Sequence, residues 1–315
     1  MDFSSRDCID VGTENCPCFL AATGDCLVCS RLQGKEACDC SWKGVCIYNE
    51  FVHGGRRVNN PRQDFEAPIV EKKVYMEDLV VFVLDVGKGF ALKADRPGAY
   101  LFVRAPGMER FYDLPVSVLW SDLEKGQIHI AVKIFSGKSK VLRDTKEKML
   151  LRGVYRNGVL GVKAFLRREI PGGKVLLLSR GIGAAPALHT AEFLSGRCQV
   201  DMIMDTGKIT ESLIADYDMS ESGFRKYLSF ADPVDQEDIR RLLKTGGYGS
   251  VGVFASDYYI QTLGRVVREV LPKAELAVSN NFRLCCGEGI CGSCSFSDPQ
   301  GNTLRMCKCQ TLPDI

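Results

Sequence analysis

The sequence predicts a multidomain chain in which an antiparallel β-barrel is followed by an α/β parallel-sheet nucleotide-binding domain, with cysteine-rich metal-binding segments at both ends. Three observations predict it. Short alternating apolar runs fill residues 69–165, and a continuous apolar run followed by a glycine turn begins at residue 174. Of the 15 cysteines, eight lie before residue 47, six after residue 284, and Cys198 stands between. The boundaries follow as 1–60 for the cysteine-rich segment and linker, 68–168 for the barrel, 169–279 for the nucleotide-binding domain and 280–315 for the C-terminal cysteine loop.

The barrel rests on period-2 alternation. Ile128, Ile130, Val132 and Ile134 alternate with His129, Ala131 and Lys133, the pattern of a strand with one buried face. Strands are also expected at 80–86, 100–105 and 116–120, punctuated by Pro97-Gly98, Pro106-Gly107 and Lys125-Gly126. Short strands at this spacing suit a small antiparallel barrel.

The pattern changes at Pro171-Gly172-Gly173. Residues 174–179 (KVLLLS) form an unbroken apolar run, as in a strand covered on both faces of a parallel sheet. Gly181-Ile182-Gly183-Ala184-Ala185-Pro186 follows, then a helix to about residue 194. Strands at 200–204, 251–255 and 275–278 alternate with helices at 236–244 and 257–271, the latter striped by Ile260, Leu263, Val266, Val267 and Val270. Glycines after the first strand let backbone amides approach a pyrophosphate at a helix N-terminus, with Pro186 near the helix start. A bare strand-to-helix turn would use the same residues, so this motif alone is weak.

The C-terminal loop carries the strongest signal. Cys286, Cys291 and Cys294 are spaced C-x4-C-x2-C and Cys307 follows after twelve residues, the plant-type ligand pattern of a 2Fe-2S cluster. Four thiolates converging from a short span need a tightly wrapped backbone, and Gly287, Gly289 and Gly292 permit it. Zinc and a disulfide knot are the competing readings. Cys285 and Cys309 are left over as alternative thiols or packed neighbours.

At the other end Cys8, Cys16, Cys18, Cys26, Cys29, Cys38, Cys40 and Cys46 fall within 39 residues. So little apolar sequence separates them that no core forms unaided, and metal ligation is expected. Two 4Fe-4S clusters, one 4Fe-4S cluster with spare thiols, or two zinc ions fit the count. The C-x-C pairs Cys16/Cys18 and Cys38/Cys40 do not follow the ferredoxin C-x2-C-x2-C run. Residues 48–68, rich in Gly, Asn, Arg and Pro, read mainly as a linker.

Composition excludes several classes. A net charge of +2 offers no basic surface for nucleic acid. No run of eighteen apolar residues and no signal-like N-terminus is present, so neither a membrane partner nor export is expected, and a cytoplasmic location is. In that compartment thiols stay reduced, which again favours metal ligation over disulfides. His53, His129 and His189 are expected to be packed or solvated, and Cys198 to be an ordinary thiol. Asp205, at the end of the second parallel strand, stands where an acidic residue could meet an adenosine ribose.

The order of barrel, dinucleotide domain and C-terminal cysteine loop resembles the electron-transfer subunit of dihydroorotate dehydrogenase, a branch of the ferredoxin-NADP reductase superfamily. It resembles more closely still the sulfide dehydrogenase-like FAD/NAD-binding iron-sulfur flavoproteins of anaerobes, whose cysteine-rich N-terminus is similar. Pro115-Val116-Ser117-Val118 matches the strand that lies along the flavin ring in that family. Gly137-Lys138-Ser139 matches its FAD-pyrophosphate turn, and Gly153 with Asn157-Gly158 its segment near the flavin. Gly181, Gly183, Ala184 and Pro186 match the nicotinamide-nucleotide loop. Leu114 stands where an arginine often holds the flavin phosphates, with Arg110 or Lys138 as substitute cations, and Val154 replaces a proline.

The resemblance implies FAD, NAD(P)H and a 2Fe-2S cluster as cofactors, with a 4Fe-4S cluster or zinc at the N-terminus. It implies an NAD(P)H-dependent oxidoreductase that passes electrons to or from a catalytic oxidoreductase subunit or a ferredoxin. No acid, base or nucleophile is expected to be catalytic. The alternatives are a redox sensor or scaffold that kept the fold, and a self-sufficient reductase of a small acceptor.

Overall fold

The computed structural model describes residues 8–219, 222–298 and 301–312. Residues 1–7, on which part of the expectation of no leader rests, lie outside them. The chain divides into two compact units, one made of Met1–Gln63 with Phe282–Thr311 and the other of Asp64–Asn281.

The larger unit begins with the closed barrel. Its strands are β1 (Asp64–Met76), β2 (Leu79–Asp85), β3 (Tyr100–Arg104), β4 (Leu114–Asp122), β5 (Gln127–Lys133) and β6 (Lys148–Tyr155), in the order β1-β2-β5-β4-β3-β6, and every pairing is antiparallel. The alternation in β5 is realised: Ile128, Ile130 and Val132 are buried with Phe82, Leu101, Val118 and Leu151 in the barrel core. Full burial of each such side chain contributes about 1.5–3 kcal/mol. β1 closes the barrel by serving two neighbours. Its first half, up to Pro68, pairs with β6 and its second half with β2.

The second sheet has the order β10-β9-β8-β11-β12-β7. Here β7 is Val159–Leu160, β8 Lys174–Arg180, β9 Gln199–Asp205, β10 Arg225–Tyr227, β11 Ser250–Phe254 and β12 Glu275–Ser279. All neighbours are parallel except β7, which runs antiparallel to β12. Val175, Leu176, Leu177 and Leu178 of β8 are fully buried, as a strand covered on both faces requires. The helix Ala184–Leu194 follows β8. The helix Pro233–Gly246 starts with Asp232 accepting a bond from the Val234 amide at 2.8 Å and ends at Gly247 in the left-handed region. In the helix Asp257–Val270, Ile260, Leu263 and Val267 face inward.

The smaller unit joins both ends of the chain. Its N-terminal part carries helices Phe19–Thr23 and Ile47–His53, and its C-terminal part a hairpin of Ser295–Ser297 and Thr303–Arg305. Cys8 pairs with Cys309 in an antiparallel bridge, and the Ile9 amide donates to the Lys308 carbonyl at 2.8 Å. The stretch 48–68, read as linker, is structured at both ends. Ile47 and Phe51, four residues apart, are buried on one helix face, and β1 begins at Asp64. Two buried side chains on a seven-residue helix leave too short a stripe for sequence periodicity to register.

Candidate functional site

A cleft of about 630 Å³ opens in the larger unit, where barrel strands β4 and β5 face the carboxyl ends of β8, β11 and β12. Ligands of open α/β sheets bind outside the carboxyl ends of the strands. Pro115, Val116, Ser117, Gly158, Gly181, Gly183 and Pro186, singled out from the sequence, all line it. The other candidates do not. Val118 is sealed in the barrel core and Ala184 under the start of its helix. Gly153 lies on β6, and buried Asn157 offers its carbonyl to Asn280 Nδ2 at 2.7 Å. Gly137, Lys138 and Ser139 form the first turn of the helix Gly137–Asp144, closed by reciprocal bonds between Ser136 and Ser139.

The glycine loop owes its composition to two local demands. Gly181 has φ +57°, in the left-handed region. At Gly183 a Cβ would fall 2.1 Å from the Phe254 carbonyl oxygen, so glycine is what lets the loop lie against β11. Beside it the ends of β11 and β12 are tied together. Ser279 Oγ accepts from the Ala255 amide at 3.1 Å, and Asn281 Nδ2 donates to the Ala255 carbonyl and to Asp257 at 2.8 and 2.9 Å. Residues 255–257 and 279–281 are cleft-lining groups that motif reading missed. The rule that parallel strands bind at their carboxyl ends, applied to the predicted strands, would have found them.

The wall is apolar at Leu114, Val116, Ala185 and Pro186 and cationic at Lys133, Arg180 and Lys208. Lys133 is engaged by Asp78 at 2.7 Å, and Arg180 by Asp205 at 2.8 Å while its guanidinium lies over Tyr259. The Lys208 ammonium forms no ion pair among the described residues and faces solvent. An apolar wall with cations beside it fits a ring-bearing, phosphate-bearing cofactor. Leu114 contributes no charge to it. Neither suggested substitute cation lines the cleft: Arg110 donates to Asp64 at 3.1 Å, and Lys138 lies 4.5 Å over the Phe111 ring.

Asp205 is committed elsewhere than to a ribose. Burial would raise its pKa, but the amides of Phe230 and Gly207 and the Arg180 guanidinium bond to its carboxylate and hold it below the usual range. The histidines take structural positions. His53 is exposed, His189 is buried in the helix after the glycine loop, and His129 Nδ1 shares a 2.8 Å hydrogen bond with Tyr217 Oη.

In the smaller unit Cys294 and Cys307 are buried, Cys286 is half-buried and Cys291 exposed. The Glu288 amide donates to Cys286 Sγ at 3.3 Å and the Cys307 amide to Cys294 Sγ at 3.4 Å. The Cys307 thiol, opposed by burial and helped by the amides of Cys291 and Glu288, brings the Cys286 pKa down to about 4. The same thiol, with the Cys307 amide, brings Cys294 down to about 6. Amides aimed at sulfur favour the thiolate, the form in which cysteine ligates iron, so this donor set fits a cluster. Among the described residues no three His, Cys, Asp or Glu side chains are gathered tightly enough to hold a single metal ion.

Behind this loop lies a closed ionic ring. Lys308 Nζ contacts Asp10 at 2.6 Å and Glu288 at 2.9 Å, and Arg62 contacts Asp10 at 2.8 Å and Glu288 at 3.4 Å. All four side chains are buried. Two cations and two anions cancel, which is what makes their burial tolerable.

No family model matches the chain. A curated relative from Archaeoglobus fulgidus, "Probable dihydroorotate dehydrogenase B (NAD(+)), electron transfer subunit", is 26% identical over 220 residues, 67% of this chain and 82% of that protein. Among solved structures, an NADH-dependent reduced ferredoxin-NADP oxidoreductase studied for flavin-based electron bifurcation matches with a TM-score of 0.60 at 17% identity, covering 76% of this chain and 85% of its own. Phthalate dioxygenase reductase, described as modular for electron transfer from pyridine nucleotides to [2Fe-2S], matches at 0.52 with 16% identity over 78% and 94%. A ferredoxin NADP+ reductase from Neisseria gonorrhoeae with bound FAD and NADP matches at 0.51 with 14% identity over 70% and 99%. The barrel followed by the parallel sheet is the fold of these reductases.

Proposed function

We propose that this chain, built on the ferredoxin-reductase fold and similar to a dihydroorotate dehydrogenase electron transfer subunit, is an NAD(P)H-dependent electron-transfer flavoprotein. It exchanges electrons between NAD(P)H, FAD and a 2Fe-2S cluster, and through them with a catalytic oxidoreductase subunit or a ferredoxin. The observation that carries this reading is the single cleft in which the barrel residues Pro115 to Ser117 and the glycine loop Gly181 to Pro186 face one another. Bound FAD would supply the conversion between two-electron hydride chemistry and one-electron cluster chemistry.

The chain's own residues bind and orient. Ser117, half-buried on β4, presents a hydroxyl to the cleft; the loop at Gly181 brings backbone close to a dinucleotide; Lys208 offers an uncommitted charge to a phosphate. Cys286, Cys291, Cys294 and Cys307 would ligate the 2Fe-2S cluster. The N-terminal cysteines would hold a further metal centre.

Anaerobic purification with flavin, iron, sulfide and zinc quantified, followed by titration with NADH and NADPH, tests the proposal. Bound flavin whose visible absorbance bleaches on addition of either nucleotide is expected. A preparation that holds zinc, holds no flavin after reconstitution and does not react with either nucleotide would sink it.

A further inference from the structure

Arg180 and Asp205 are the last residues of β8 and β9 and stand opposite one another in the register of that parallel pair. Arg180 Nε donates to Asp205 Oδ2 at 2.8 Å, and the guanidinium carbon lies 4.7 Å from the centre of the Tyr259 ring. The carboxylate is pinned in turn. The Phe230 amide donates to its Oδ2 at 2.8 Å and the Gly207 amide to its Oδ1 at 3.0 Å. Asp205 is buried, so these bonds fix the orientation of the guanidinium plane before any ligand arrives.

Two other partly buried arginines of the larger unit spend every guanidinium nitrogen on the protein. Arg225 gives Nε and Nη2 to Asp218 at 2.5 and 2.9 Å, and Nη1 to the carbonyls of Val200, Ser222 and Phe224. Arg104 gives Nε to the Met108 carbonyl, Nη1 to Asp64 and Asp113, and Nη2 to Asp64. Arg180 spends Nε alone. Among the described residues neither of its Nη atoms donates a hydrogen bond, and its side chain, 24% exposed, lines the cleft. An arginine that served only to hold β8 to β9 would close that edge on nearby acceptors, as the other two do.

The open edge of a guanidinium presents parallel N–H donors that match two oxygens of a phosphate. Stacking on Tyr259 and the bond from Nε hold the plane, so little side-chain freedom remains to be lost on binding. The neighbouring charges agree. Lys133 is paired with Asp78, and the Asp257 carboxylate accepts from Asn281, whereas Lys208, three residues beyond Asp205, forms no ion pair among the described residues. At the ends of β8 and β9 two cations therefore face a single carboxylate.

We infer that Arg180 takes a phosphate group of the nicotinamide dinucleotide on its free guanidinium edge, and that Asp205 is the positioning residue that aims it. This rests on the dinucleotide reading of the cleft proposed above and adds the residue that holds the phosphate and the one that acts through it. Asp205, at the strand end where a carboxylate could meet a ribose, works instead on the protein's own arginine.

Calorimetric titration of the flavin-loaded full-length chain with ADP-ribose and with 2′-phospho-ADP-ribose tests the assignment. Arg180→Ala should weaken at least one of them about thirtyfold, the worth of charge-assisted hydrogen bonds, with kcat at saturating nucleotide unchanged. An equal loss on both ligands places the pyrophosphate on Arg180, and a loss confined to the second places the 2′-phosphate there; either supports the assignment. Arg180→Lys keeps the charge without the fork and should recover only part of the affinity. Asp205→Asn should weaken binding about tenfold on its own and add nothing in the Arg180→Ala background.

Thermal unfolding and flavin content are measured on every variant. Should Arg180→Ala unfold early, Arg180→Lys and Asp205→Asn carry the decision, and wild-type affinity in both overturns the assignment. Wild-type affinity in a stably folded Arg180→Ala overturns it too. Flavin lost with nucleotide affinity intact puts the phosphate on FAD and overturns the dinucleotide assignment. Additive losses from Asp205→Asn and Arg180→Ala overturn the positioning role, because Asp205 then meets the ligand itself. A wild-type chain that binds neither ligand overturns the dinucleotide reading and this inference with it.

Discussion

Lys308 Nζ lies 2.6 Å from Asp10 Oδ2 with both side chains sealed from solvent, so the residue after Cys307 is paired with one two positions beyond Cys8. Lys308→Met would leave Asp10 and Glu288 facing Arg62 alone, with one buried negative charge uncompensated. A loss of about 3–5 kcal/mol is expected. Trp42 and Trp120 are the two tryptophans, so urea unfolding followed by Trp42 fluorescence in a Trp120→Phe background reads the smaller unit. The Asp10→Asn/Lys308→Met double variant restores the charge balance and should cost less than the sum of its parts.

Lys208 is expected to serve a dinucleotide phosphate. Lys208→Ala should raise KM for NAD(P)H about tenfold, equivalent to about 1.4 kcal/mol, with kcat unchanged, because the charge acts on binding rather than on the reacting ring. Added salt should shrink the difference, since the side chain is exposed. Steady-state kinetics at two ionic strengths decides this.

Gly183→Ala should be poorly tolerated. Its Cβ would lie 2.1 Å from the Phe254 carbonyl oxygen, so the loop or β11 must move. Overpacking of this kind costs about 1–3 kcal/mol and displaces the glycine loop that lines the cleft. Gly137→Ala is the comparison: nothing lies within 4 Å of its added Cβ and its φ is not in the left-handed region. Thermal unfolding should separate them, with Gly137→Ala near wild type.

His129 makes the larger unit acid-sensitive. Burial, with the Lys73 charge, holds its imidazole down at about 4, below the unfolded value near 6.5. Between those values the unfolded chain binds the extra proton, so stability is lost as pH falls from about 6.5 to about 4 and the loss levels off below. On the order of 2 kcal/mol is at stake, discounted for the partial exposure of the ring. His129→Gln should flatten that part of the denaturation-midpoint profile.

The parts of the fold legible in the sequence are those where one strand answers to one environment. β5 alternates because one face meets the barrel core, and β8 is unbroken because both faces are covered. β1 escaped notice because its thirteen residues divide between two neighbours and leave Glu71 and Lys72 exposed. β10, with three residues and none buried, carries no pattern at all. The glycine loop was legible because its conformational demand is local. Asp257 and Asn281 could be placed at strand ends from the sequence, but that they share one cleft with Lys208 depends on the strand order β9-β8-β11-β12, which is a property of the folded sheet.

The antiparallel bridge between Cys8 and Cys309 has a consequence for biosynthesis. Asp10 and Lys308 are 298 residues apart. At about 5–20 residues per second, Asp10 waits roughly 15–60 s after its own synthesis for Lys308 to be made. Throughout that interval the N-terminal thiols lack the loop they pack with and meet the cell's metals and oxidants without it. Completion of the smaller unit thus waits for the residues around Lys308, although its cysteines from Cys8 to Cys46 are translated long before.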